Sequence, residues 1–312
     1  VIVPTVTFIA AVNPVKYQFA NPIFMDCDDS LCMDPVKLEQ FCETECESKE
    51  DGLYFKKDGS HIKAIVVVHV FGNLADMEKI MDIAEQYQIK VIEDATEALG
   101  SKYTEGKYAG KYAGTIGDFG AYSFNGNKII TTGGGGALVA KEEAHAKHAK
   151  YISTQAKDDV HYYIHNEIGF NYRMTNLQAA LGVAQMEELP EFIERKQRNY
   201  EEYERLLKDE KRGYLLPFRE GTASNHWFYS FVLNRDIVKD ELRTIITNLE
   251  KNGVQTRAIW GLIHEQKPYV NHMAYKIERA KYYSERVINL PCSTNLTPEE
   301  VEKVVSVIRQ VL

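Results

Sequence analysis

Apolar runs and helical spacing alternate in the first half of the chain. Residues 64–70 form a continuous apolar run rich in β-branched side chains, which is typical of a strand buried on both faces of a parallel sheet. Asp76 can cap a following helix, because the next apolar residues keep helical spacing. Residues 89–92 then predict a second strand, which ends at Glu93 and Asp94. This order of strand, helix and strand predicts a βαβ unit with a right-handed crossover.

The rest of the chain adds further strands and helices. The pattern predicts strands at 118–124 and 136–140, a helix from about 175 to 207 with Pro190 inside it, a strand at 227–233 and a helix around 238–251. Thr297, Pro298 and Glu300 mark the start of the final helix, because they form a capping box with proline at the first helical position. Its predicted buried face consists of Val301, Val304, Val305, Ile308 and Val311.

These elements predict an α/β fold in two parts. Residues 1–185 are expected to form a large three-layer αβα domain around a mostly parallel sheet, and residues 186–312 a smaller α+β domain. The chain opens without methionine at Val1, in a stretch that reads as the end of a buried strand. We therefore expect that an N-terminal portion is missing.

Composition and charge exclude several classes of function. The chain has 312 residues, of which 44% are hydrophobic and 26% charged, and its net charge is -8. This charge provides no basic field for nucleic acid or anionic lipid, so a nucleotide-bearing substrate has to be held by local donors. No apolar run approaches the length of a membrane span, and no signal peptide opens the sequence.

The cysteines indicate a reducing compartment. Their number, five, is odd and their spacing is scattered, which argues against a disulfide framework and for the cytoplasm. Cys42 and Cys46 are four residues apart and could share a helix face as metal ligands. No partner pair follows them and glutamates interleave them, so we expect two reduced helix cysteines and no metal.

Two residues follow predicted parallel strands and can carry chemistry. Asp94 lies at the end of one strand and Lys128 just beyond another, at the edge where open parallel sheets bind ligands. A lysine amine and an aspartate that meet there suit pyridoxal phosphate, since the amine forms an imine and the aspartate keeps the pyridine nitrogen protonated. By spacing alone, a solvated loop lysine and a helix-capping aspartate are the more common interpretation of these two residues. The glycines at 133–136 lack the spacing of a phosphate loop and predict a tight turn instead.

Ordered motifs over the whole chain resemble the DegT/DnrJ family of aminotransferases. The motifs are, in order, PTVTFIAA, PIFMD, VHVFGN, EDATEALG, GDFGAYSFNGNK and GFNYRMTNLQAA, followed by VQTR, His264, Tyr269 and Leu290-Pro291. Members of this family are pyridoxal phosphate enzymes of fold type I that act on nucleotide-linked ketosugars. The resemblance therefore implies this fold, this cofactor and a sugar-nucleotide aminotransferase.

The resemblance also implies roles for residues that match the family motifs. Lys128 is implied as the Schiff-base lysine, Asp94 as the partner of the pyridinium nitrogen and Ser123 as a hydrogen-bond partner of the cofactor phosphate. Phe8 matches the aromatic residue that stacks on the pyridine ring. Glu97 stands where many members have glutamine near the ring hydroxyl, so its contact would involve either a protonated phenol oxygen or a proton on the glutamate itself.

Further matches concern the neighbouring subunit and the substrate. Asn171 matches a residue that reaches the phosphate from the other subunit, which implies a homodimer with shared active sites. Arg257 and His264 resemble positions near the substrate mouth. Without the resemblance, Phe8 would be read as core, Ser123 as a strand hydroxyl and Asn171 as a turn residue. His69 is expected to be a hydrogen-bonded structural residue.

One family feature has no counterpart in the sequence. The glycine-threonine loop that cradles the cofactor phosphate precedes the position of Val1. We therefore expect a form in which this segment is restored to bind the cofactor more tightly than the 312-residue chain. Equal affinities in a titration would refute this expectation.

The segment before residue 64 resembles one branch of the family. A long stretch at 51–60, together with 154–159 and 165–169, is similar to enzymes of legionaminic-acid biosynthesis, which aminate C4 of a nucleotide-linked 4-keto-6-deoxy-N-acetylhexosamine with glutamate as donor. The stretch could equally be a surface hairpin without influence on specificity. Perosamine-type and bacillosamine-type aminotransferases are the alternatives.

Other functions within and outside the family compete with this one. Some members are dehydratases, which replace the lysine by histidine or add an iron–sulfur cluster. Lys128 argues against the first kind and the scattered cysteines against the second. A truncated paralogue that binds sugar nucleotides without turnover is the non-catalytic alternative, and loss of an imine absorbance in Lys128→Ala would separate the two.

Overall fold

The structure, a computed structural model, describes residues 1–237 and 240–312. The helices are α1 (Asn13–Tyr17), α2 (Pro35–Glu45), α3 (Met77–Gln86), α4 (Glu143–Ser153), α5 (Asn176–Leu207), α6 (Glu241–Lys251), α7 (Arg279–Ser284) and α8 (Pro298–Val311). The strands are β1 (Ile2–Pro4), β2 (Ile23–Met25), β3 (Cys46–Lys49), β4 (Gly52–Phe55), β5 (His61–Ile62), β6 (Ala64–Val68), β7 (Lys90–Asp94), β8 (Lys102–Tyr103), β9 (Phe119–Ser123), β10 (Gly136–Ala140), β11 (Lys157–Asp159), β12 (Ile164–His165), β13 (Gly213–Leu215), β14 (Thr222–Ala223), β15 (Tyr229–Leu233), β16 (Arg257–Ala258), β17 (Met273–Tyr275) and β18 (Val287–Leu290).

The apolar strands meet in one central sheet of order β10-β9-β7-β6-β1-β2-β17. Every pair is parallel except that of β10 with β9, which is antiparallel. Ile65 and Val67 on one face of β6 and Val66 and Val68 on the other are all buried, as expected for a strand covered on both faces. Helix α3 packs on β7 and on α2. The mostly parallel sheet with its helices confirms the predicted α/β class.

Helix starts follow the predicted caps. The side chain of Asp76 accepts a hydrogen bond from the Lys79 amide at the start of α3. Thr297 and Glu300 form the predicted capping box of α8. The helix predicted around 238–251 is α6, which begins at Glu241, and residues 238 and 239 of that prediction lie outside the described residues.

Two predicted strands and one predicted helix have different limits. The strand predicted at 64–70 ends at Val68, because the chain turns at His69 and Phe71 adopts a φ of +58°. The strand predicted at 227–233 begins only at Tyr229. Cys46, predicted on a helix, is the first residue of β3, where it follows the end of α2. The two strands are shorter than predicted because a turn interrupts each apolar run, whereas Cys46 leaves the helix because its backbone is extended directly after Glu45.

The C-terminal part builds a second sheet and returns to the first. Strands β13, β15, β18 and β16 form an antiparallel sheet. Its core includes Tyr203, Tyr229 and Leu249, with apolar residues of α8. Strand β17 instead pairs with β2 in the central sheet. The predicted division at 185/186 falls within α5, and it stays a prediction.

A three-stranded meander, β3-β4-β5, occupies the long segment before β6. Because β5 ends at Ile62 and β6 starts at Ala64, the meander lies near the amino end of β6. Asp94, at the carboxyl end of the neighbouring parallel strand, lies at the opposite edge of the sheet. None of the helices in the described part of the chain combines the length and apolarity that crossing a bilayer requires.

Candidate active site

The carboxyl ends of four neighbouring parallel strands bring the predicted residues to one edge. Strands β1, β6, β7 and β9 are adjacent, so the loops that follow them share that edge. Phe8 follows β1, Phe71 follows β6, Glu97 follows β7 and Lys128 follows β9. The tertiary structure therefore gathers residues that are up to 120 positions apart in the sequence.

Lys128 faces a buried carboxylate. Its Nζ lies 3.7 Å from Oε1 of Glu97, and only 13% of the lysine side chain and 4% of the glutamate side chain are exposed. The ring of Trp227 lies beside the same amine, with 4.4 Å between Nζ and the ring centroid. Lys128 is therefore a nearly enclosed amine and not the solvated loop lysine that its local sequence left open.

Glu97 is a carboxyl group that can change its protonation near neutral pH. Burial raises the pKa of Glu97 to about 7, although Lys128 and a hydrogen bond from the Phe71 amide to Oε2 at 2.9 Å act in the opposite direction. The negative charge of nearby Asp94 also acts to raise this pKa. The side chain can thus accept or supply a proton beside Lys128.

Asp94 and Ser123 lie at the ends of adjacent strands. Oδ1 of Asp94 accepts a hydrogen bond from the Thr96 amide at 3.1 Å. Within residues 1–237 and 240–312, no hydrogen bond reaches Oδ2 of Asp94, so one oxygen can accept an N–H from a ligand. Ser123 Oγ accepts from the Asn125 amide at 3.2 Å, and its hydroxyl hydrogen can be donated. This donor and acceptor set fits pyridoxal phosphate.

Phe8 and His264 border the carboxyl end of β1. The Phe8 side chain is 56% exposed, so a face of its ring is available for stacking. His264 Nδ1 is hydrogen-bonded to Thr5 Oγ1 at 2.7 Å, and burial lowers the pKa of His264, against the opposing effect of Glu265. Arg257 is exposed on β16, where it pairs with Asn289. The structure thus places His264 at this edge, whereas Arg257 lies on the second sheet.

Asn171 lies apart from the residues above. It is exposed and forms an isolated bridge with Thr154, shortly before the start of α5. Within the described part of the chain, no hydrogen bond joins its side chain to Ser123 or Lys128. Its predicted contact with the phosphate of another subunit stays a prediction.

His69 lies below the site in a buried pair with Glu93. The Ala75 amide donates to Nδ1 at 3.2 Å, so Nε2 carries the hydrogen that is donated to Glu93 Oε2 at 3.0 Å. Glu93 also accepts from the amides of Gly114, Ile116 and Gly117. Both side chains are fully buried, and this network fits the structural role expected for His69.

Two residues that line the site carry no recognisable signal in the sequence. Trp227 was part of a predicted strand, and Phe71 part of an apolar motif. Their positions depend on the turn before β15 and on the turn after β6, which no local pattern encodes. Residues 133–135 form the predicted turn directly before β10, whose first residue is Gly136. Gly133 and Gly135 are required there by their positive φ and not by lack of room, since no atom would crowd a side chain at either position.

The family model of the DegT/DnrJ/EryC1/StrS aminotransferase family matches residues 1–309. The chain belongs to this family. Membership confirms the predicted enzyme class, an aminotransferase of fold type I with pyridoxal phosphate as its cofactor.

Three relatives illustrate the similarity of this family member to known proteins. It is 34% identical over 307 residues to the putative pyridoxal phosphate-dependent aminotransferase EpsN of Bacillus subtilis, covering 97% of this chain and 74% of the relative. It is 32% identical over 316 residues to a GDP-perosamine synthase of Caulobacter vibrioides, covering 100% of this chain and 79% of the relative. The crystal structure of a family aminotransferase from Brucella abortus matches with a TM-score of 0.87 and 26% identity, covering 99% of this chain and 78% of that one.

Proposed function

We propose that this protein transfers an amino group from glutamate to C4 of a nucleotide-linked 4-keto-6-deoxy sugar. The observation that carries the proposal is the enclosed amine of Lys128, 3.7 Å from Glu97, at the carboxyl edge of the sheet. An amine shielded from solvent beside a group that exchanges protons is what transamination requires.

The residues at this edge would hold the cofactor in a defined orientation. Bound pyridoxal phosphate supplies an electron sink that stabilises negative charge on the carbon next to the transferred nitrogen. Asp94 would bind the ring nitrogen through Oδ2, Ser123 would donate to the phosphate, and Phe8 would stack on the ring. Lys128 would bind the cofactor covalently.

Two side chains of this chain would move protons. The amine of Lys128, once free, would remove a proton from the amino-donor carbon and return one to the sugar carbon. Glu97 would accept or supply a proton beside it, since burial raises the pKa of Glu97 to about 7. The Trp227 ring, itself buried, would exclude water from the amine.

The proposal also concerns which nucleotide-linked sugar is the substrate. Relatives that are named GDP-perosamine synthases, at 31–34% identity, support amination of a nucleotide-linked sugar. The resemblance to the legionaminic-acid branch supports an N-acetylated sugar as the substrate. The long segment behind that resemblance forms the β3-β4-β5 meander at the amino end of β6, away from Lys128 in the same subunit. A GDP-linked substrate of perosamine type is therefore the second candidate.

A substrate panel tests this proposal. The protein, supplied with pyridoxal phosphate and glutamate, is incubated separately with a GDP-linked and a UDP-linked 4-keto-6-deoxy sugar and with a UDP-linked N-acetylated form. We expect an aminosugar whose mass and NMR spectrum show nitrogen at C4, and no product from Lys128→Arg. Nitrogen at C3, or turnover that persists in Lys128→Arg, would overturn the proposal.

We further propose that the active unit is a cytoplasmic homodimer. The five free cysteines support a reducing compartment. Many large apolar side chains between residues 160 and 186 are exposed, more than a monomer's surface usually shows. They are Val160, Tyr162, Tyr163, Ile164, Ile168, Phe170, Tyr172, Met174, Leu177, Leu181, Val183 and Met186. A second copy would cover this face and bring its Asn171 to the site.

Mixing two inactive variants tests the shared site. If Asn171 acts across the dimer, Lys128→Ala and Asn171→Ala subunits mixed after unfolding and refolding will regain about a quarter of the wild-type activity, because half of the dimers are mixed and each contains one intact site. If Asn171 acts within its own subunit, or if sedimentation shows a monomer, no such recovery will occur.

A further inference from the structure

A short turn before β15, residues 224–228, contacts three of the four loops that build the site, those after β6, β7 and β9. Ser224 Oγ donates to Gly72 O at 2.9 Å, and the Phe228 amide donates to Phe71 O at 3.4 Å. These bonds attach the turn, which we call the 224–228 turn, to the loop after β6. The turn leads directly into β15 of the second sheet, so it joins that sheet to the carboxyl edge of the first.

Asn225 attaches the same turn to the loop that carries Glu97. Its Nδ2 donates to Glu97 O at 2.9 Å and to Leu99 O at 3.0 Å, and its own amide donates to the Ser101 hydroxyl at 2.9 Å. Asn225 is fully buried. The backbone of the Glu97 loop is therefore fixed by a residue 128 positions further along the chain.

Trp227 attaches the turn to the lysine. Its indole Nε1 donates to Asn127 O at 3.2 Å, while the face of its ring lies 4.4 Å from Nζ of Lys128. The Lys128 amide donates to Asn125 O at 3.1 Å and closes the turn that carries the lysine. Trp227 thus contacts both the backbone beside Lys128 and the tip of its side chain.

The orientation of the Trp227 ring is itself fixed. Phe228 stacks on it with ring centroids 4.0 Å apart and an angle of 11° between the planes. The preceding residue, His226, has a φ of +51°, a conformation that costs energy for a residue other than glycine. Its amide donates to Ser224 Oγ, and the Trp227 amide donates to Asn225 Oδ1. A strained but well-bonded turn therefore points the indole at Lys128.

We infer that Trp227 is a positioning residue for Lys128. Its indole N–H holds the turn of the lysine and its ring confines the amine to the side of Glu97, 3.7 Å away. An apolar ring transfers no proton, so Trp227 acts only through Lys128. The inference rests on the proposed function of Lys128 as the residue that binds the cofactor.

Three variants separate the two contacts of Trp227. Trp227→Phe keeps a ring but loses the bond to Asn127 O, and Trp227→Leu loses both contacts. Trp260→Phe is the matched control, because Trp260 is the second of the two tryptophans and its ring lies tilted against that of Phe71, with centroids 4.7 Å apart. Phenylalanine keeps an aromatic side chain in the buried position, so Trp227→Phe guards against loss of the fold.

Hydrogen exchange of the cofactor-free protein is the first measurement. The amide of Lys128 should exchange about fivefold faster in both Trp227 variants, since one hydrogen bond that holds its turn is removed. In Trp260→Phe the exchange of this amide should stay at the wild-type rate. This measurement is independent of the activity of the loaded enzyme.

Cofactor loading is the second measurement. After pyridoxal phosphate is added, the visible absorbance of the lysine-bound cofactor should appear about 10–100 times more slowly in Trp227→Leu, with Trp227→Phe in between. In steady state kcat should fall while the KM for glutamate stays within about twofold, because Trp227 acts on the geometry of the amine and not on glutamate binding.

The two measurements distinguish a failure of the inferred role of Trp227 from a failure of the proposed role of Lys128. If exchange rises but the visible band forms at the wild-type rate, Trp227 supports only the turn and the inference is wrong. If all three variants behave alike in both measurements, the inference is equally wrong. If even the wild-type protein forms no visible band, the proposed role of Lys128 fails, and so does the positioning role that depends on it.

Discussion

Two buried glutamates, four residues apart, have opposite surroundings. Glu93 lies inside β7 and accepts hydrogen bonds from His69 and from three backbone amides. Glu97 lies just beyond that strand and has one backbone donor, the Phe71 amide, with Lys128 at 3.7 Å. The Glu93 carboxylate is saturated with hydrogen-bond donors. The Glu97 carboxylate has few donors and can therefore exchange a proton.

The pKa values follow from this difference. Burial alone would raise the pKa of Glu93, but the hydrogen bonds from His69 and from the amides of Gly117 and Gly114 outweigh it and lower the pKa below its ordinary value. For Glu97 burial dominates and raises the pKa to about 7. Donors supplied by a folded loop make one carboxylate a structural anchor, and their scarcity makes the other a proton-exchanging group.

The largest expected effect is a loss of activity without a loss of stability when Lys128, the neighbour of Glu97, is replaced. Lys128→Ala should lower aminotransferase activity by at least about a thousandfold and abolish the visible cofactor band, because no amine remains to bind the cofactor. Its free energy of unfolding in urea should stay within about 1 kcal/mol of wild type. Lys251→Ala, which alters an exposed lysine of α6, serves as the control and should match wild type in both measurements.

Glu93→Gln should lower the stability of the protein and leave cofactor binding by the folded protein intact. The neutral amide cannot accept from His69 and from all three loop amides, so we expect a loss of about 3 kcal/mol in the free energy of unfolding. The folded fraction should still form the visible band with pyridoxal phosphate. Urea unfolding at pH 8 measures the loss, and a Glu93→Gln protein as stable as wild type would contradict the structural role of this residue.

Glu97→Gln should change the pH dependence of both stability and activity. The pKa of Glu97 is 4.5 in the unfolded chain and about 7 in the folded protein. Its contribution to stability is therefore fully present below pH 4.5 and is lost as the pH rises towards about 7. Above pH 7 the cofactor-free variant should therefore be more stable than wild type, by up to about 3 kcal/mol. Glu93, with its lowered pKa, gives the opposite slope, since its contribution is present above the unfolded value and is lost as pH falls through the folded value.

Kinetics provide the second test of Glu97. In Glu97→Gln the ionisation near pH 7 should be missing from the profile of kcat/KM. Unfolding curves and rates between pH 5 and 9 check both expectations. A profile that keeps its wild-type ionisation near neutrality would assign it to another group.

The smallest expected effect concerns Phe8, at the far side of the same edge. Phe8→Leu removes an aromatic ring that is already 56% exposed, so stability should hardly change. If the ring stacks on the cofactor, its loss should weaken pyridoxal phosphate binding about 2–10-fold. Equilibrium dialysis measures this change, and Phe19→Leu, at an aromatic residue that is 96% exposed, is the control.

The sequence-based predictions that the structure confirms mostly concern features formed by residues close together in the chain. Asp76 caps α3 and Thr297 opens α8 because each cap forms within one helical turn, among residues adjacent in the chain. The run at 64–68 became a buried central strand, since unbroken β-branched residues suit a strand that is covered on both faces. The family motifs predicted roles for Lys128 and Asp94 before any geometry was known, and these roles stay predictions.

Other features depend on residues far apart in the chain. The end of β6 at Val68, the return of β17 to β2 and the turn that aims Trp227 at Lys128 have no local signature. They exist because long-range pairing and burial outweigh local preference. The sequence by itself determined the fold class and the helix caps, and it predicted the role of Lys128. Only the tertiary structure decided that Glu97 would be short of donors and Glu93 saturated, because the donors come from loops that meet each carboxylate only after folding.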